Sequence, residues 1–152
     1  MTDPIRVRPA IAADAPALAD LLNVIIAAGG TTALETPLTP EDLADWYIAG
    51  PSALLCLMAE DSTGALGFQS VGLNSDLPEG WGDIASFARQ TAPRPGTGRA
   101  LFAETSSRAK NAGLIALNAT IRADNRVGLA YYSRMGFQDY AVRPAVPLAD
   151  GS

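Results

Sequence analysis

The chain has 152 residues, 48% hydrophobic and 18% charged, with a net charge of −5 at neutral pH. That make-up fits one globular domain over residues 1–152, long enough to bury a proper core, and excludes a disordered chain. With no histidine, one cysteine and one lysine, Lys110, it lacks the usual general base, the usual catalytic triad and the commonest zinc ligand, so no metal site is expected and a serine or cysteine hydrolase is disfavoured.

The acidic balance also lacks the clustered basic face that nucleic acid requires. The longest apolar runs, Val24 to Ala28 and Ala53 to Ala59, fall far short of the roughly 20 residues of a membrane span. Asp3 and Asp14 flank a strand-like segment where a signal peptide would be apolar. The expectation is a cytoplasmic protein with no nucleic-acid or membrane partner.

In chain order, Ile5, Val7 and Ala10 alternate with arginines and predict a short first strand. Asp14 is placed to cap a helix whose Leu18, Leu21, Leu22, Ile25 and Ile26 share one face, ended by Gly29-Gly30. Thr39-Pro40-Glu41-Asp42 starts a second helix, with Leu43, Trp46 and Tyr47 as its apolar positions and Gly50-Pro51 as its stop. Leu54 to Ala59 predicts a strand covered on both faces, and Cys56 within it a small buried hydrophobe. Asp61 to Gly64 is a turn, and Ala65 to Leu73 the returning strand. After a polar loop, Asp83 to Arg89 predicts a fourth strand, Gly98 to Ala112 a helix, and Leu114 to Ile121 a strand reached by a right-handed crossover. A helix over Asn125 to Met135 and a strand over Phe137 to Val142 follow. Arg143 to Ser152 is short for a seventh strand and contains Pro144 and Pro147.

Two motifs carry chemistry. The first is Arg94-Pro95-Gly96-Thr97-Gly98-Arg99-Ala100, between a strand and a helix. A glycine turn opening a helix aims backbone N–H groups and the positive end of the helix dipole at one point, which suits phosphate. It is neither a P-loop, since Arg99 and Ala100 replace Lys-Ser/Thr, nor a dinucleotide fingerprint, since Leu101 stands where Gly or Ala is needed. A turn with no ligand is the other reading. The second motif runs from Asn125 through Tyr131 and Tyr132 to Gly136-Phe137. Read plainly, Tyr132 packs on a helix face, Gly136 ends the helix and Asn125 caps it.

Together, in this order, the motifs resemble those of the GCN5-related N-acetyltransferases: strand, basic residue, Gly-x-Gly and helix, then Asn-x-x-Ala-x-x-x-Tyr-x-x-x-Gly-Phe, with Gly128 here in place of the alanine. The segment Ile26 to Glu35 looks like the substrate-side loop of the phosphinothricin-type branch. The resemblance implies an α/β (α+β) fold, a mixed six- or seven-stranded sheet flanked by four helices. It also implies acetyl-CoA as co-substrate and a homodimer. The expected activity is acetyl transfer to the primary amine of a small, amino-acid-like molecule. Acetylation of a protein N-terminus or lysine, and a non-catalytic acyl-CoA-binding module, are the alternatives.

Carried over residue by residue, Phe87 and Ala88 would offer backbone pairing to the pantetheine arm. The pyrophosphate would sit on Arg94, Gly96, Thr97, Gly98, Arg99 and Ala100, and Asn125 would bond the pantetheine. Tyr132 would contact the cofactor and protonate the departing thiolate, with Tyr131 pointing elsewhere. Asp83 stands where that branch carries a basic glutamate, with Thr31 and Glu35 on the substrate side and Glu35 and Glu41 as reserve bases. The chain departs from the family pattern at Pro93, which holds the basic position, and at Pro95, which has no N–H to give.

Overall fold

The computed structural model describes residues 3–29, 34, 36–121 and 124–138. Five strands form one sheet in the order β1-β2-β3-β4-β5: β1 (Arg6–Pro9), β2 (Ala53–Asp61), β3 (Gly64–Gly72), β4 (Trp81–Ala88) and β5 (Ala116–Asn118). The first four are antiparallel neighbours, and β5 joins β4 in parallel. The helices are α1 (Ala15–Ala28), α2 (Pro40–Leu43), α3 (Thr97–Asn111) and α4 (Arg126–Arg134). The expected strand over Phe137 to Val142, and any seventh, fall largely on residues 139–152, outside the described residues.

Helices cover both faces of the sheet. On one, the five predicted apolar positions of α1 pack with Leu38, Leu43, Cys56, Met58 and Phe68. On the other, Leu57, Ala59, Leu66 and Leu101 form a cluster beneath α3, and Val71, Ile84 and Tyr132 one beneath α4. Strand alternation explains the split, because Phe68 and Val71 lie on opposite faces of β3. Burial among these residues pushes the Cys56 thiol up to about 12, which suits a packing role and not a nucleophile.

Two local expectations change. Asp14 does not cap α1; it closes a short 3-10 turn over Ala12–Asp14 by accepting from the Ile11 N–H at 2.8 Å, and it takes two hydrogen bonds from Arg8 at 2.9 Å. The second helix starts as predicted, with the Thr39 hydroxyl accepting from the Asp42 N–H. It then widens into a π-helical turn over Ala44–Ile48, where the Ala49 N–H reaches back to the Ala44 carbonyl at 2.8 Å. Such turns re-aim side chains. Here Trp46 and Tyr47 come to line a cavity.

Candidate active site

The site is built around a gap in the sheet. Strands β4 and β5 pair only over Trp81–Asp83 and Ala116–Asn118. From Ile84 to Ala88, β4 runs on with no strand on that edge among the described residues. The predicted Leu114 to Ile121 strand is cut to three residues because the two strands diverge.

Ladder parity shows which backbone groups face the gap. The Arg89 N–H bonds to the Leu66 carbonyl on β3, so residues 85 and 87 also turn to β3, while 84, 86 and 88 turn to the open edge. This corrects the expectation for Phe87. Its backbone is committed opposite Phe68, and its ring packs on Phe68 and Tyr47 at 5.0 and 5.8 Å between centroids. The groups facing the gap belong to Ser86 and Ala88, and the Ala88 carbonyl already accepts from Gln90 Nε2 at 2.9 Å.

At the end of the gap lies the glycine turn. Gly96 precedes α3 with φ of 90°, a left-handed conformation that glycine adopts at little cost. Thr97 N–H is taken by the Arg94 carbonyl and Ala100 N–H by that of Gly96. Gly98 and Arg99 are the next helical residues, and their N–H groups have no helical carbonyl behind them, which leaves them for an anion. The two arginines differ. Arg94 is held by Asp61 at 2.8 Å, with Asp3 at 3.9 Å, so its charge is spent within the protein. Arg99 is exposed and makes no ion pair among the described residues. The Thr63 hydroxyl first, then Arg94 and the Thr63 N–H, hold the Asp61 carboxyl down to about 2.

Tyr132 is buried to 7% exposure, and its hydroxyl lies 2.7 Å from Ser86 Oγ on the open edge of β4. Burial pushes its phenol well up, Ser86 partly offsets that, and Tyr131 and Asp83 add to it. Tyr131, expected to point elsewhere, belongs to the same cluster. Its ring is 5.0 Å from that of Tyr132, and its hydroxyl donates to the Gly98 carbonyl at 2.7 Å and accepts from Gln69 Nε2 at 2.9 Å. A Cβ on Gly98 would sit 2.6 Å from the Tyr131 ring. This residue must therefore be small for its neighbour's sake, whatever it binds. Asn125 caps α4, accepting from the Gly128 N–H at 3.0 Å. A Cβ on Gly128 would meet that amide at 2.6 Å, which accounts for the missing alanine of the motif.

Across the sheet lies a cavity of about 250 Å³ whose lining includes Trp46, Tyr47, Ser70, Leu73 and Asp83. Asp83 Oδ1 accepts from Asn118 Nδ2 at 3.0 Å and Oδ2 from Asn74 Nδ2 at 3.3 Å. The two amides fix the carboxylate at the point where β4 and β5 part. Neither asparagine was singled out by the sequence, since each matters only through the register that brings it to Asp83. Glu41 is exposed on the first turn of α2 and does not line the cavity. Thr31 and Glu35 lie outside the described residues.

The chain matches no protein-family model. It is 25% identical over 142 residues to a curated Bacillus subtilis (strain 168) protein named "Putative phosphinothricin acetyltransferase YwnH", covering 91% of this chain and 86% of that one. A solved GCN5-related N-acetyltransferase from Kribbella flavida superposes with a TM-score of 0.80 at 26% identity, over 93% of this chain and 87% of that one. A phosphinothricin acetyltransferase from Sinorhizobium meliloti, solved in complex with AcCoA, shares the fold at 21% identity and a TM-score of 0.74, over 88% and 75% of the two chains. The parted strands, the glycine turn opening α3 and the α4 tyrosine thus occur in a chain that is similar, in sequence and in fold, to GCN5-related N-acetyltransferases and to phosphinothricin acetyltransferases among them.

Proposed function

We propose that the protein transfers acetyl from acetyl-CoA to the primary amine of a small molecule by direct attack on the thioester. The observation that carries this reading is the gap between β4 and β5, which has bare helix N–H groups at one end, a buried tyrosine hydroxyl on one face and a cavity with a carboxylate on the other. The residues present fit acetyl-CoA. Ser86 and Ala88 would pair with the pantetheine along the open edge of β4, and Asn125 at the start of α4 would bond it. The pyrophosphate would take the N–H groups of Gly98 and Arg99 and the Arg99 charge. Gly96, Thr97 and Ala100 shape that turn, with Arg94 bracing it through Asp61. When bound, the co-substrate supplies an activated carbonyl and a thiolate leaving group.

The remaining steps belong to the chain. The Asp83 carboxylate, held by Asn74 and Asn118, attracts an ammonium into the cavity and accepts its proton, directly or through water, as the amine is brought to the gap. The Trp46 and Tyr47 rings suit an aromatic or aliphatic body on the amine. Tyr132 gives its proton to the departing thiolate. Pro95 removes one possible amide contact, so the turn holds pyrophosphate with fewer donors than the family pattern provides. A single cytoplasmic domain working as a homodimer completes the reading, and sedimentation tests the dimer.

The experiment is a CoA-release assay with a panel of amines including phosphinothricin, simple arylalkylamines and a lysine peptide. Turnover is expected with a small amine and not with the peptide. Acetyl-CoA binding without turnover on any amine would instead favour an acyl-CoA-binding module, and turnover on the peptide alone would favour protein acetylation.

A further inference from the structure

One buried polar chain is not required by the fold. Gln69 lies at zero exposure in the middle of β3, where an apolar side chain would pack without cost. Its Nε2 donates to Tyr131 Oη at 2.9 Å and to Ser86 Oγ at 2.8 Å, while its Oε1 has no partner among the described residues. A buried acceptor left unmet is costly. The two donated bonds are what the amide gains in return.

Counting protons gives the chain a direction. The single Tyr131 hydroxyl proton goes to the Gly98 carbonyl, so toward Gln69 this hydroxyl can only accept. That requires the amide nitrogen, not the oxygen, to face the hydroxyls. Both of its protons are then used. Ser86 Oγ accepts one of them and shares a single hydrogen bond of 2.7 Å with Tyr132 Oη. The Ser86 and Tyr132 hydroxyls share one bond of their own, and Tyr131, whose phenol Ser86 also favours in its ionised form, is the other group Ser86 could donate to. With Ser86 donating to Tyr132, the proton left without an acceptor among the described residues is that of Tyr132.

We infer that Gln69 and Ser86 are positioning residues for Tyr132: Ser86, oriented by Gln69, donates to Tyr132 Oη and leaves the phenol's own proton directed at the leaving thiolate. The inference rests on the reading of Tyr132 as proton donor. The amine lone pair forms the C–N bond as the C–S bond breaks with its electron pair on sulfur. The Tyr132 O–H bond then breaks, its proton forms S–H, and the phenolate is met by the Ser86 hydroxyl. The proton lost by the amine goes to Asp83 or water, and the phenolate recovers one from solvent. Gln69 also holds Tyr131, whose hydroxyl rests on Gly98, so one buried amide spans the pyrophosphate turn and the proton donor.

The test begins with the cofactor-free protein. A trifluorotyrosine in place of Tyr132 brings its phenol into an accessible pH range, followed by ¹⁹F NMR. Ser86→Ala is expected to raise its apparent pKa by roughly one unit by removing the hydrogen bond that favours the phenolate, and Ser86→Thr to leave it near the parent value. Gln69→Met, similar in volume, should shift it less in the same direction. In turnover, Ser86→Ala should lower kcat about tenfold with the KM for acetyl-CoA unchanged, and Ser86→Thr should restore kcat. An unmoved ¹⁹F titration in Ser86→Ala, or equal kcat losses in Ser86→Ala and Ser86→Thr, overturns the inference. If Tyr132→Phe is inactive while Ser86→Ala and Gln69→Met behave as the parent, the inference alone fails. If Tyr132→Phe turns over normally, the proton-donor reading fails and takes the inference with it.

Discussion

The two sides of β4 are built by different means. On the α3 and α4 side, Gly98, Tyr131, Gln69, Ser86 and Tyr132 are joined by successive hydrogen bonds of 2.7 to 2.9 Å. Each group's direction is set by the next, and a change of one atom propagates. On the α1 and α2 side, the cavity mixes the Trp46 and Tyr47 rings and Leu73 with the polar Ser52 and Ser70, and holds one carboxylate fixed by Asn74 and Asn118. Wall residues that are not linked to one another tolerate changes of shape far better than a hydrogen-bond chain tolerates loss of a member. The donor half is therefore fitted to one invariant co-substrate, and the acceptor half can be retuned for different amines without disturbing it.

The sharpest way to break this contrast is to remove the last member of the chain. Tyr132→Phe deletes only the hydroxyl, and kcat is expected to fall about 100-fold or more, with CoA affinity by calorimetry little changed. On the other side, Asp83→Asn keeps the shape and removes the charge. It should raise the KM for the amine and lower kcat by roughly tenfold in kcat/KM, leaving the acetyl-CoA KM alone. If Asp83→Asn altered the acetyl-CoA KM as strongly as the amine KM, the two sides would not be separable as described.

Much of the fold could be read in the sequence because its signals were local. The Thr39 cap, the spacing of Leu18 to Ile26 and the apolar run before Asp61 each depend on neighbours in the chain, and these three elements are present. The glycine turn and Tyr132 were found through motif order. What was missed depends on register or proton count. Phe87 was expected at the open edge, but a period of two turns its backbone to β3. Gln69 looked like an ordinary strand residue, and its importance comes from pairing opposite Ser86. Helix geometry points Tyr131 away from Tyr132, yet a 100° step still leaves its hydroxyl within reach of Gly98. Asp14 was read as a cap because its sequence neighbours suit that role, but Arg8 on β1 claims it.

A gentler perturbation sharpens the link between the turn and the donor. Gly98→Ala puts a methyl 2.6 Å from the Tyr131 ring, and the overpacking should cost about 1–3 kcal/mol of stability, read from denaturant unfolding. Because Tyr131 must move, kcat should fall along with acetyl-CoA affinity. A purely pyrophosphate role for Gly98 would lower affinity alone.

The smallest expected effects separate the two arginines of the turn. Arg99→Ala should weaken CoA binding several-fold, with a shallower salt dependence, since an exposed charge beside the helix N-terminus is removed. Arg94→Ala should act first on stability, because its partner is Asp61. The Asp61 carboxyl has a folded value of about 2, below its ordinary value of about 3.9, so its stabilising contribution is fully present above the unfolded value. It is lost as pH falls from there through about 2. Arg94→Ala should thus be less stable than the parent at pH 7 and approach it in strongly acidic solution. A stability difference that stayed constant down to acid pH would mean that Arg94 braces the turn by packing of its stem, and that the Asp61 ion pair adds nothing.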